Sequence, residues 1–144
     1  MKNKLLVFLL LCTSLFFAQQ KVTWEDLSKV TFKEKYFPAY NEEFLFPEFS
    51  ESVKALDGKT ITITGYFLHI APAQKIYMLS KGPMASCFFC GVGGPETAIE
   101  LILDNTPKIK TDNIVSVTGK LKLNSDDVEH FNYILTNCKL SIKE

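Results

Sequence analysis

From Thr60 onward the chain alternates between apolar and polar residues. Thr60-Ile61-Thr62-Ile63-Thr64-Gly65-Tyr66-Phe67 puts Ile61, Ile63 and Phe67 on one face, the two-residue period of a half-buried strand. Gly65 inside this run suggests a bulge or bend in a sheet that curls. After the turn Ala71-Pro72-Ala73-Gln74, Ile76–Leu79 reads as a second, short strand. A long loop from Lys81 to Thr97 follows, then a third strand over Ile99–Leu103 and a turn at Asp104-Asn105-Thr106-Pro107. Ile114–Leu123 is the fourth strand, with Val115, Val117, Leu121 and Leu123 on one face and Gly119 among them. Asn124-Ser125-Asp126-Asp127 is a polar loop, and Phe131–Leu140 is the fifth strand. Five short strands with glycines inside two of them predict a mainly β fold, a small five-stranded OB-like curled barrel. A β-sandwich is the alternative.

Upstream of Leu56 the pattern changes. Thr23 is a good N-cap for a short helix, and Glu25 and Asp26 suit its positive end. Trp24 and Leu27 share one side of it. Tyr36–Tyr40 and Phe44–Phe49 are rich in aromatics and broken by Pro38 and Pro47, so they read as extended or looping chain. Their rings are expected to cover an open edge or end of the downstream sheet. Ser50 caps one or two further helical turns, which Asp57-Gly58 ends. The organisation predicted is residues 19–56 as this mixed segment and 57–144 as the barrel.

The first 18 residues change the compartment. Lys2 and Lys4 precede an apolar run from Leu5 to Phe17, and Ala18 offers a small residue for cleavage. These are the parts of a secretory signal peptide, and the run is short for a membrane span. Cleavage after Ala18 would leave 126 of the 144 residues in the periplasm or secreted, with no stable span. Cys12 does not make a good lipoprotein site, because Leu11 stands where a small residue is wanted. The processed chain would carry 14 lysines against 16 acidic residues and no arginine. Bidentate arginine recognition of phosphate or guanine is unavailable to it, and a slightly acidic chain without a basic block does not fit nucleic-acid binding.

The candidate chemistry sits in Ser86-Cys87-Phe88-Phe89-Cys90-Gly91-Val92-Gly93-Gly94-Pro95. Three cysteines remain after Ala18: Cys87, Cys90 and Cys138. An oxidising compartment makes a disulfide the default for such a chain, and three cysteines allow one bond with one thiol over. Cys87-x-x-Cys90 has two other readings. A redox dithiol needs a lowered thiol pKa, commonly from a helix that starts after the first cysteine, and Gly-Val-Gly-Gly-Pro after Cys90 does not continue one. A metal site uses two thiolates as two corners of a tetrahedron. The remaining corners would come from His69, at the end of the first strand on the face of Ile61, Ile63 and Phe67, or from Cys138, Met84, Met78, His130 or Glu96. Histidine is the commonest metal ligand type, so the candidate set is Cys87, Cys90 and His69, with zinc or copper as the ion. Cys138, with Ile134, Thr136 and Leu140, reads as a buried small hydrophobe. His130, among Asp126, Asp127 and Glu129, reads as part of a solvated turn, because the spacing fits no dedicated calcium loop.

Leu56-Asp57-Gly58-Lys59 before the first strand, Gly65-Tyr66, a cysteine-bearing loop with a proline, and Val115-Ser116-Val117-Thr118-Gly119-Lys120-Leu121 together resemble a family of exported bacterial proteins of unknown function. The resemblance covers about residues 50 to 140 and implies an OB-like barrel. It also implies a link to metal supply, since some members are encoded beside transporter genes of that kind. Relatives usually carry one cysteine and then a proline-rich run, whereas this chain has Cys87-x-x-Cys90 and a glycine-rich tail. Only Cys87 therefore carries over. No Ser-His-Asp set, Walker loop or dinucleotide fingerprint is present. The expected function is that of a small exported binding module, not an enzyme, serving metal handling with an envelope transporter as partner. A thiol-disulfide exchange protein and a structural member of an envelope complex are the alternatives.

Overall fold

The computed structural model of the chain describes residues 19–143; the expected signal peptide lies outside the described residues. Five strands form a closed ring. They are β4 (Thr60–Ala71), β5 (Ile76–Ser80), β6 (Ala98–Leu101), β7 (Ile114–Leu123) and β8 (Tyr133–Ile142). The order around the ring is β4-β5-β6-β8-β7, and β7 pairs back onto β4. The β6–β8 pairing is parallel and the other ring pairings are antiparallel. The barrel expected from the alternation is thus the one formed, and closure leaves the ring no free edge.

The alternation of β4 fills the barrel. Ile61, Ile63 and Phe67 are buried in the main core with Tyr77, Leu79, Ile99, Leu101, Val115, Val117, Leu121 and Tyr133. On the outer wall, Thr62 and Thr118 share a 2.8 Å hydrogen bond between β4 and β7. β4 also runs four residues beyond the predicted Phe67, to Ala71. Its other-parity residue Leu68 joins a second cluster outside the ring, with Met78, Cys87 and Ala98.

The two glycines act differently from one another. Gly65 is not at a bulge, because the β4–β7 register is unbroken from Thr60 to Tyr66. It is there for close approach: a Cβ on it would lie 2.5 Å from the Ser80 carbonyl oxygen and 2.9 Å from the Trp24 ring. Gly119 does face a bulge. The β7–β8 register shifts between Thr118 and Lys120, where Asn137 takes a positive φ of 53°. A Cβ on Gly119 would press on the Thr136 carbonyl at 2.9 Å and Cys138 Sγ at 3.2 Å.

The chain before Leu56 straps the barrel and then leaves it. β1 (Gln20–Lys21) lies outside the ring and pairs in parallel with the start of β4. α1 (Trp24–Leu27) carries the expected Thr23 cap, as a full capping box with Asp26. Trp24 Nε1 donates to the Thr64 carbonyl at 2.8 Å, and Leu27 is fully buried. Of the two aromatic stretches, expected to cover an edge or end of the sheet, Phe49 packs against the barrel core. The stretches form their own antiparallel hairpin, β2 (Val30–Phe37) and β3 (Glu42–Phe49). Only its base is anchored, through Phe49 edge-on to Tyr133 with ring centroids 5.5 Å apart. Tyr36, Tyr40 and Leu45 at the far half stay exposed. α2 (Glu51–Lys54), capped by Ser50, returns the chain to the barrel.

Candidate functional site: the cysteine loop and its groove

The loop between β5 and β6 is closed at its neck by Lys81 N donating to the Thr97 carbonyl at 3.0 Å. Within it, short 3₁₀ turns replace a helix, at Met84–Ser86, Phe88–Cys90 and Pro95–Thr97. Cys87 is extended between the first two. The second turn stops at Gly91, whose φ of 76° lies in the left-handed region, where only glycine sits without cost. The glycine tail therefore ends the turn after two bonded steps, Cys90 N to Cys87 O at 2.9 Å and Gly91 N to Phe88 O at 3.0 Å. Met84 anchors the loop from outside, its N–H donating to Asp112 Oδ1 at 2.7 Å.

These turns bring the two thiols together. Cys87 Sγ and Cys90 Sγ are 3.8 Å apart, and both are free thiols. Cys87 is buried in the outer cluster, whereas Cys90 faces solvent. The Cys90 thiol also donates to the Met84 carbonyl at 3.1 Å. Hydrogen bonding with Cys87 holds the Cys90 pKa above its ordinary value.

His69 is not brought to them. It shares the inward parity of Phe67, and its ring packs edge-on against Phe67 and Tyr77 at 5.0 and 5.5 Å. Its Nε2 is bonded to the Ile109 carbonyl at 2.7 Å. Leu68, one residue earlier, points the other way into the cluster that holds Cys87. The sheet therefore separates the imidazole from the two thiols. Cys138 lies against the main core with its thiol on the Leu135 carbonyl at 3.2 Å, and burial raises its pKa to about 11. Among the described residues, no group of three or more His, Cys, Asp and Glu side chains is placed to hold a metal ion.

Sequence reading missed two features of this end of the molecule. The first is a bond between Glu100 and His130. Glu100 is only 7% exposed, and its carboxylate meets His130 Nδ1 at 2.8 Å and accepts from Phe131 N at 3.1 Å. A carboxylate inside the apolar strand Ile99-Glu100-Leu101 was the available signal, because such a charge stays buried only with a partner. His130 is thus tied to the barrel, not part of a free turn. Asn124 holds the rest of that loop, its Nδ2 reaching the Asp127 carbonyl at 2.7 Å.

The second is a groove of about 470 Å³ between the hairpin, the cysteine loop and residues 125–132. Phe37 and Phe44 form one wall, and Phe88, Phe89 and Phe131 the other. Phe88 and Phe89, the residues between the two cysteines, tilt against each other at 5.3 Å, and Phe89 reaches Phe131 at 5.8 Å. Glu43, Asp127 and Glu129 also line it. The hairpin that supplies one wall could not be placed from its aromatic content alone.

No protein-family model matches the chain, and no curated protein matches it. Among solved structures it is similar to a DUF3299 family protein from Pseudomonas aeruginosa, with a TM-score of 0.55 and 16% sequence identity over 88% of this chain and 97% of that one. The likeness spans nearly all of that neighbour, which comes from a family of unknown function, and at this identity it shows a shared fold.

Proposed function

We propose that this chain is a small exported binding module, not an enzyme, and that Cys87 and Cys90 hold a soft or borderline metal ion, zinc or copper, for an envelope metal-handling system. The observation that carries this reading is the 3.8 Å between two free thiols. Two thiolates bonded at about 2.3 Å to a tetrahedral ion lie about 3.8 Å apart, so the pair is already at the spacing of two corners of such a site. Exposed Cys90 gives an ion its way in, and buried Cys87 lies in an apolar cluster below it. Exchange with a disulfide partner is less well supported, because the turn after Cys87 is three residues long and Cys87, the sulfur that would attack, is buried. The aromatic groove beside the loop favours a partner protein, such as an envelope transporter component, meeting this face.

Bound ion requires both sulfurs as thiolates, so affinity should fall as pH drops and disappear on oxidation. The test is metal titration of reduced wild type against Cys87→Ser/Cys90→Ser, alongside metal analysis of protein taken from its native compartment, where the chain is expected to begin at Gln19. Uptake of about one ion per wild-type chain and none by the double variant supports the reading. Equal, negligible uptake by both proteins ends it and leaves the pair a structural one.

A further inference from the structure

We infer that the loop selects copper(I), and that Met84 supplies the third sulfur of the site. This rests on the reading that Cys87 and Cys90 bind an ion and specifies which ion. Met84, Cys87 and Cys90 recur every third residue in Met84-Ala85-Ser86-Cys87-Phe88-Phe89-Cys90. Met84 opens one 3₁₀ turn, Cys87 joins it to the next, and Cys90 ends that second turn. Cys87 is extended between the two turns, so the three residues are drawn together by direct contacts and not by one continuous helix. The backbone locks this arrangement: the Met84 carbonyl accepts from the Cys90 thiol at 3.1 Å, and Cys90 N donates to the Cys87 carbonyl at 2.9 Å. The half-buried Met84 side chain packs against the cluster that contains Cys87.

The surroundings offer zinc little. Zinc sites are completed by cysteine, histidine and carboxylate ligands, and among the described residues no third such group joins the two thiols. His69 lies across the sheet on the Ile109 carbonyl, His130 is bonded to Glu100, and Glu96 accepts from Gly94 N at 3.2 Å. Thiolate and thioether ligands, in contrast, suit copper(I), which accepts two or three of them without a fourth. Binding releases two protons: the two thiols become thiolates on the ion, Met84 contributes a neutral sulfur lone pair, and no electron is transferred. Phe88 and Phe89 stand between the two cysteines in sequence, their rings tilted against each other at 5.3 Å.

The experiment is competition for copper(I) between the reduced protein and a chromogenic copper(I) chelator, with zinc(II) titrated separately. Wild type, Met84→Leu and Cys87→Ser/Cys90→Ser are compared. Leucine preserves volume and apolar packing, and circular dichroism checks the fold. The expected result is one copper(I) per wild-type chain and a loss of about tenfold or more in affinity for Met84→Leu, the scale seen when a site loses a supporting group. Zinc affinity should not change. X-ray absorption on selenomethionine-labelled protein should show a copper–selenium contact that Met84→Leu removes. Copper(I) bound equally by Met84→Leu, or no copper–selenium contact, overturns the assignment of Met84 and leaves the dithiol reading standing. Zinc held more tightly than copper(I) overturns the choice of ion. No uptake of either metal by wild type removes the dithiol reading and this inference with it.

Discussion

Glu100 is a carboxylate in a strand whose other residues are all buried apolar side chains. What makes that position tolerable is the imidazole at its edge and the Phe131 amide above it. The hydrogen bond that His130 donates to the Glu100 carboxylate, and then the charge of Glu100, hold the His130 pKa above the ordinary value of 6.5. A histidine whose folded pKa is raised contributes stability that is complete below its unfolded value. That contribution is lost as pH rises through the raised folded value. Stability should therefore fall as pH climbs past the ordinary value of 6.5, with no matching fall in Glu100→Gln. Nuclear magnetic resonance titration of His130 checks this directly: its midpoint should drop toward the ordinary value in Glu100→Gln, and an unmoved midpoint would contradict the pairing. His130, among Asp126, Asp127 and Glu129 in the sequence, reads there as part of a solvated turn. Its partner is thirty residues away, across the β6–β8 join.

Among the elements, the β2–β3 hairpin differs most from its neighbours. Eight residue pairs hold it together, from Val30↔Phe49 to Phe37↔Glu42, yet of its residues only Pro47 is buried. Its stabilisation is local. Phe37 packs edge-on to Phe44 at 5.7 Å, Lys35 Nζ lies 4.0 Å from the Phe46 ring centroid, and Lys33 pairs with Glu48 at 2.7 Å. An exposed pair of that kind contributes at most about 1 kcal/mol, and an isolated two-stranded hairpin is marginal in water. Hydrogen exchange should therefore show amides from Lys33 to Phe46 exchanging well before those of β4, β7 and β8. Protection of the hairpin tip equal to that of the barrel would mean that something covers it.

At the scale of the molecule, the barrel is closed on itself but sealed from outside by the N-terminal strap. Trp24 stacks over Gly65 and bonds the Thr64 carbonyl, while Tyr133 Oη donates to the Leu27 carbonyl at 2.7 Å. Two strands far apart in sequence are thus tied to the same four-residue helix. Trp24→Ala removes a large, partly buried side chain and a hydrogen bond, and should cost about 2–3 kcal/mol, less than a fully buried aromatic. Chemical denaturation should show one cooperative transition at lower denaturant in this variant. A separate early transition for residues 19–29, with the barrel midpoint unchanged, would show the strap to be an appendage. Among the described residues no helix is long and apolar enough to cross a membrane.

The alternation of Ile61, Ile63 and Phe67, and of Val115, Val117 and Leu121, was sufficient to predict a curled β barrel, because strand faces follow a two-residue period whatever the partner. Thr23 and Ser50 announced their helices for the same local reason: a cap bonds amides only three residues away. The cysteine pair was legible too, since Cys87 and Cys90 are close in any turn. Tertiary structure alone decided the rest. It made Gly65 a contact point for Trp24 and Ser80 instead of a bulge, and it gathered the aromatic stretches into a hairpin. It also set His69 and the thiols on opposite sides of one sheet. Parity assigns a residue to a face, but which face meets the loop depends on how the ring closes, and closure is fixed by pairings such as β4 with β7 and β6 with β8, between segments dozens of residues apart.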